Sequence, residues 1–109
     1  MWLTPSMKHY EHPAAETFEL TAILHALSDP YRLWIVQTLA QTQPLACAPL
    51  QGGRPKSSVS HHFSVLRRAG LVWTEVVGTT HMNSLRTEEL ERLFPGLLAA
   101  VLRAAERAQ

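Results

Sequence analysis

The sequence predicts a mainly α chain carrying one two-stranded β-hairpin, an α+β fold, and three observations lead there. Apolar residues recur at helical spacing in stretches that begin near Ala14, Pro30, Lys56 and Thr87. Only residues 71 to 85, LVWTEVVGTTHMNSL, depart from that period; they are rich in β-branched and aromatic types and are divided by Gly78. The length of 109 residues, 46% hydrophobic and 17% charged, suits one globular domain with a modest core.

Taken in order, residues 1–12 hold Pro5 and a polar mix without periodicity, so they read as a mobile arm, with a single domain over residues 13–109. His9 and His12 share an HxxH spacing there, which on a helix puts two imidazoles on one face. Without a third ligand nearby, a solvated tail explains them better than a metal site. Residues 14 to 27 read as a helix whose apolar groups, among them Phe18, Leu20, Ile23, Leu24 and Leu27, spread round more than one side. Such a helix needs two partners, one of them plausibly a second subunit. Asp29 and Pro30 then mark a helix start, the first as a side-chain cap and the second at the position where a missing N–H costs nothing. The helix they open runs to about Ala40 and is ringed by Leu33, Ile35, Val36 and Leu39, which predicts the central, most buried helix. Trp34 fits either its packed side or its rim.

Residues 41 to 56 contain Pro44, Pro49, Pro55 and the Gly52-Gly53 pair, which leave room for at most a short helix between Pro44 and Gln51. From Lys56 an amphipathic helix follows, with Ser57 or Ser58 available as its cap and Gly70 at the left-handed position that ends it. After the hairpin, Thr87 is placed to cap EELERLF, and Pro95 begins a last helix. Its stripe of Leu97, Leu98, Val101, Leu102 and Ala105 is too large to leave in water, which predicts the second half of a dimer interface.

Charge distribution gives the first functional clue. The net charge is only +1, yet Arg32, Arg54, Lys56, Arg67 and Arg68 lie between Pro30 and Thr74 with no acid among them, while all nine acids lie outside. A middle segment of charge +5 between flanks totalling −4 is suited to a polyanion. On the helix over 56–69, Val59, Phe63 and Leu66 share one sector, and Ser57, Ser60, His61, Ser64 and Arg68 share the opposite one, with Arg67 at its edge. Three serines and no carboxylate make this face unlike an ordinary solvated one, which mixes charge signs, and fit it to the DNA major groove.

One cysteine, Cys47, excludes an intrachain disulfide and agrees with a reducing compartment. No leader-like or membrane-spanning run is evident, so a cytoplasmic protein without a membrane partner is expected. Cys47 has three readings: a small packed apolar residue, a thiol switch activated by Arg54 or Lys56, or a metal ligand shared with His9, His12 or a partner's residues.

The order helix, helix, short helix, basic helix, two-stranded wing, terminal helix is that of a winged helix-turn-helix. The chain resembles the ArsR/SmtB family of bacterial transcriptional repressors in three places: ALSDPYRLWIVQTLA, SSVSHHFSVLRRAGLV, and the wing around Gly78. The resemblance spans most of residues 18 to 105. It implies a homodimer joined through its first and last helices that binds an inverted-repeat operator in double-stranded DNA, with an effector of unknown chemistry weakening the grip. Carried over, it gives Ser57, Ser60, His61, Ser64 and Arg68 to the groove and Lys56, Arg67, Thr79 and Thr80 to phosphates, beside Ser58, which as a cap residue is also placed to reach phosphate. Arg68 is the first candidate for base readout, since serines make few bidentate pairs. His62, off the groove face, is expected to brace the helix through a hydrogen bond.

The family's sensing motif is where the chain departs. Leu45-Ala46-Cys47-Ala48-Pro49-Leu50 stands where metal-responsive members carry "L-C-x-C-D-L", and no histidine occurs between Thr87 and Gln109. No metal and no cofactor are therefore expected, and Cys47 is the candidate sensor. The rival reading is a winged-helix interaction module docking an acidic partner. An enzyme is not expected, because the histidines are scattered and no glycine-rich phosphate cradle is present.

Overall fold

In the computed structural model, which describes residues 10–107, a turn of 3₁₀-helix at Ala15–Thr17 leads into α1 (Leu20–Leu27) and α2 (Pro30–Gln41). A short strand β1 (Leu45–Ala46) and a single-turn α3 (Ala48–Gln51) precede α4 (Lys56–Ala69). The hairpin of β2 (Val72–Val77) and β3 (Thr80–Leu85) follows, and α5 (Thr87–Leu93) and α6 (Leu97–Arg107) end the described chain.

As expected, α2 lies at the centre, with Ile35, Val36 and Leu39 fully buried among Ile23, Leu50, Leu66 and Leu71. Asp29 caps it by accepting the Arg32 backbone N–H at 3.0 Å, with Pro30 in the first turn. Trp34 sits at the rim, 38% exposed.

The hairpin forms with Val77 opposite Thr80, so Gly78 and Thr79 make a two-residue loop. Its first position has φ of 65° at Gly78, the sign a primed hairpin turn demands. A third strand was not foreseen: β1 pairs antiparallel with β3, giving the order β1-β3-β2. The proline-interrupted segment thus holds both a strand and the short helix that was expected.

The helix anticipated over 14 to 27 is broken at Phe18, which is extended at φ −62° and ψ 138°. Phe18 instead covers the end of α4, where a Cβ on Gly70 would lie 2.5 Å from its ring. Gly70 has φ of 93°, and the bonds Gly70 N–H to Arg67 O and Leu71 N–H to Leu66 O close α4 in a Schellman turn. Two expected caps do not form. Pro55 is the cap residue of α4, and neither Ser57 nor Ser58 bonds there; Arg86 precedes α5, and Thr87 lies inside it.

Leu20 and Leu24, one turn apart on α1, are 44% and 45% exposed, while Ile23, Ala26 and Leu27 face the core. The stripe on α6 is used differently from expectation: Leu98 and Ala105 are buried, and Leu97, Val101 and Leu102 pack half-buried against this chain's own core. Intramolecular packing takes up much of the apolar area assigned to a dimer. Most of the expected arm, and His9 with it, lies outside the described residues. The part described is docked: Tyr10 and His12 both contact the wing. Among the described residues no helix is long and apolar enough to cross a membrane.

Candidate nucleic-acid interface

Because α4 contributes Val59, Phe63, Leu66 and Ala69 to the core, its opposite side is held outward as a ridge. Ser57, Ser60, His61 and Arg68 are exposed along it, Ser64 is half-buried, and Lys56 is exposed at the amino end. Thr79 and Thr80 are exposed at the wing tip. Between ridge and wing runs a cleft of about 650 Å³, bordered by Lys56, Ser60, Thr79, Thr80, Arg67 and Cys47 and lined by no carboxylate. Such a surface has donors and positive charge for an anionic backbone and nothing in its lining to repel one.

Two predicted residues are placed elsewhere. Ser58 is half-buried on the side of the helix it shares with His62, off the ridge. Arg67 is half-buried; its guanidinium lies 3.9 Å from the Tyr10 ring centre and donates to Thr74 Oγ1 at 3.2 Å. Burial draws its pKa below the ordinary arginine value. Part of the charge expected on a phosphate is thus engaged by Tyr10 and Thr74, at the border of the cleft.

From Arg67 a polar chain continues inward. The Thr74 hydroxyl donates to Asn83 Oδ1 at 2.7 Å, and the Asn83 amide donates to Leu45 O at 3.1 Å and to Cys47 Sγ at 3.4 Å. Asn83 is fully buried, so these partners are what make its burial affordable. Through it α4, both wing strands and the start of α3 are tied together. Cys47 itself is half-buried, packs against the core and borders the cleft. His12 is engaged by Thr74 and Trp73 of the wing, and among the described residues no three His, Cys, Asp or Glu side chains gather as a metal site.

A second knot joins α1, α2 and α4. Buried Arg32 donates from Nε to Ala26 O at 2.7 Å and from Nη2 to His25 O at 3.3 Å, closing the carboxyl end of α1. Its Nη1 meets His62 Nδ1 at 3.0 Å. Burial lowers the His62 pKa, with Arg32, His61 and Arg54 adding to the shift and Asp29 opposing it. The neutral imidazole that results can accept the Arg32 proton, so His62 braces α4 as expected. Tyr31 sits between these groups, its hydroxyl donating to Leu50 O at 2.7 Å and its ring under Arg54 at 3.8 Å. Of the five middle cations, then, Arg32 is internal, Arg67 is half-buried at the cleft and Arg54 is stacked on Tyr31, while Lys56 and Arg68 face outward.

Sequence reasoning missed the roles of Arg32, Asn83, Tyr10 and His12. A signal existed for the first two: an arginine within the most apolar helix and an asparagine in mid-strand, where that residue is depleted.

A model described as a helix-turn-helix domain matches residues 27–74. An uncharacterized HTH-type transcriptional regulator, YceK, from Bacillus subtilis (strain 168) is 37% identical over 79 residues, 70% of this chain and 79% of its own length. The arsenical resistance operon repressor of Staphylococcus xylosus is 36% identical over 80 residues, 72% of this chain and 77% of its own. Among solved structures, the transcriptional regulator HlyU from Vibrio vulnificus CMCP6 matches with a TM-score of 0.54 and 33% identity, covering 74% of this chain and 84% of that one. Matched in sequence and in fold, the chain belongs to the ArsR family of winged helix-turn-helix transcriptional regulators.

Proposed function

We propose that the chain acts in the cytoplasm as a non-catalytic, homodimeric repressor that binds an inverted-repeat operator, with α4 in the major groove and the wing beside it. The observation that carries this reading is the outward ridge of α4, contiguous with a carboxylate-free cleft that ends at the exposed wing tip. Arg68 reads base edges, Ser57, Ser60, His61 and Ser64 set the helix in the groove, and Lys56, Thr79 and Thr80 hold phosphates. Exposed Leu20 and Leu24 support a dimer contact through α1, completed by the outer side of α6. Cys47 borders the cleft and is the candidate point at which a thiol-reactive effector acts.

Selection from random duplexes, followed by titration of the preferred duplex at rising salt, tests this. One enriched inverted repeat is expected, with affinity falling steeply as salt rises. Retention of that preference by the double variant Arg68→Ala, Ser64→Ala would overturn the assignment of the groove face. Oxidised and reduced protein of equal affinity would remove Cys47 as the sensor.

A further inference from the structure

We propose that Tyr10 is a positioning residue of the DNA-binding surface, setting the separation of wing and recognition helix and thereby the width of the cleft between them. The proposal rests on the DNA-binding reading above and names a residue that neither the ridge nor the wing contains. Tyr10 comes from the segment before the first helix, yet its ring lies 3.9 Å beneath the Arg67 guanidinium of α4. Its hydroxyl is hydrogen-bonded to His81 Nδ1 of β3 at 2.6 Å, next to Thr80 at the wing tip. One side chain thus spans from the recognition helix to the outer part of the hairpin and forms part of the cleft wall.

The backbone that presents Tyr10 is fixed close by. The His12 ring stacks on Trp73 at 3.8 Å and 12°, and His12 Nε2 accepts the Thr74 backbone N–H at 2.9 Å. The Pro13 carbonyl accepts from Arg86 Nη1 at 2.7 Å. Helix packing reaches the hairpin through α4 on β2 and α2 on β3. Strand β1 pairs with β3 only at Asn83 and Met82, so beyond it the rungs Val76 with His81 and Val77 with Thr80 form a two-stranded ribbon, which is marginally ordered by itself. The link through Tyr10 to His81 therefore braces that outer ribbon against α4 and fixes the angle of the wing tip.

The test uses the full chain and its preferred duplex, read by hydroxyl-radical footprinting and by titration. Tyr10→Ala is expected to bind about five- to ten-fold more weakly, the size of one hydrogen bond and one exposed cation–π contact. It is expected to lose protection of the backbone flanking the wing while keeping the base preference set by α4. Tyr10→Phe keeps the ring under Arg67 but not the bond to His81, so its loss of wing-side protection is smaller, with the melting temperature close to that of the parent. Unchanged footprints in both variants overturn the proposal. So does a uniform loss across the site that follows a lowered melting temperature, which would make Tyr10 a stability residue alone. If Tyr10→Ala does not fold, the Tyr10→Phe footprint decides. A parent protein that prefers no duplex overturns the DNA reading instead, so the two failures are distinct.

Discussion

Arg67 and Arg68 are neighbours in sequence with opposite fates. A 100° step round α4 turns Arg67 towards the wing, where Tyr10 and Thr74 engage it, and leaves Arg68 exposed on the ridge. The same contrast separates Arg32, buried and bonded to two carbonyls and an imidazole, from Lys56 at the amino end of the ridge. A count of charges measures how much cation a segment holds. How much of it reaches a ligand is set by what else lies within reach of each guanidinium.

The sharpest way to break this contrast is to remove its most internal member. Arg32→Ala leaves the end of α1 and His62 without a donor, and a loss of about 3 kcal/mol in urea unfolding is expected, with base preference of the folded protein unchanged. Weaker DNA binding at unaltered stability would move Arg32 to the same class as Arg68. Next in size, Arg68→Ala is expected to cost about 1–3 kcal/mol of discrimination between the preferred and a scrambled duplex. Its unfolding free energy should stay within about 0.5 kcal/mol of the parent, as for an exposed site. Arg67→Ala should behave in the reverse manner, with stability lower by about 1 kcal/mol. Its salt dependence of binding should keep the parent slope, since no phosphate contact is removed; a slope lower by about one unit would return Arg67 to the phosphate-binding set.

The smallest effect expected is on acidification. Burial, then Arg86 and Arg67, lower the His12 pKa below its ordinary 6.5, with a backbone bond at Tyr10 opposing, and burial does the same for His62. With folded values below the unfolded one, the unfolded chain takes up protons first as pH falls through 6.5. Stability is therefore full above that pH and declines below it until the folded groups also protonate. Urea midpoints at about pH 7.5 and about pH 5.5 should show the drop, and His12→Gln should flatten it in part. A midpoint that rises on acidification would contradict both assignments.

The elements that could be read from sequence are those whose signals are local. The bounds of α4 follow from its period and from Gly70, those of α2 from Asp29 and Pro30, and the hairpin from a change of period around Gly78. What escaped depends on partners far along the chain. Strand β1 exists because Leu45 and Ala46 meet Asn83 and Met82, and Arg67 is held half-buried because Tyr10 lies beneath it. Neither pairing leaves a periodic trace. The break at Phe18 is similar, since only contact with the end of α4 distinguishes that residue from the helical pattern around it.

The bond from Thr74 N–H to His12 Nε2 has a consequence for how these molecules behave in crowded solution. Strand β2 is the longer of the two outer strands of the sheet, and its free backbone donors are groups onto which a strand from another molecule would add. His12 occupies one of them and, stacked on Trp73, shields the apolar surface beside it. A chain trimmed past Pro13 would present an open, partly hydrophobic border, and its first defect would be sticking edge to edge into insoluble aggregates.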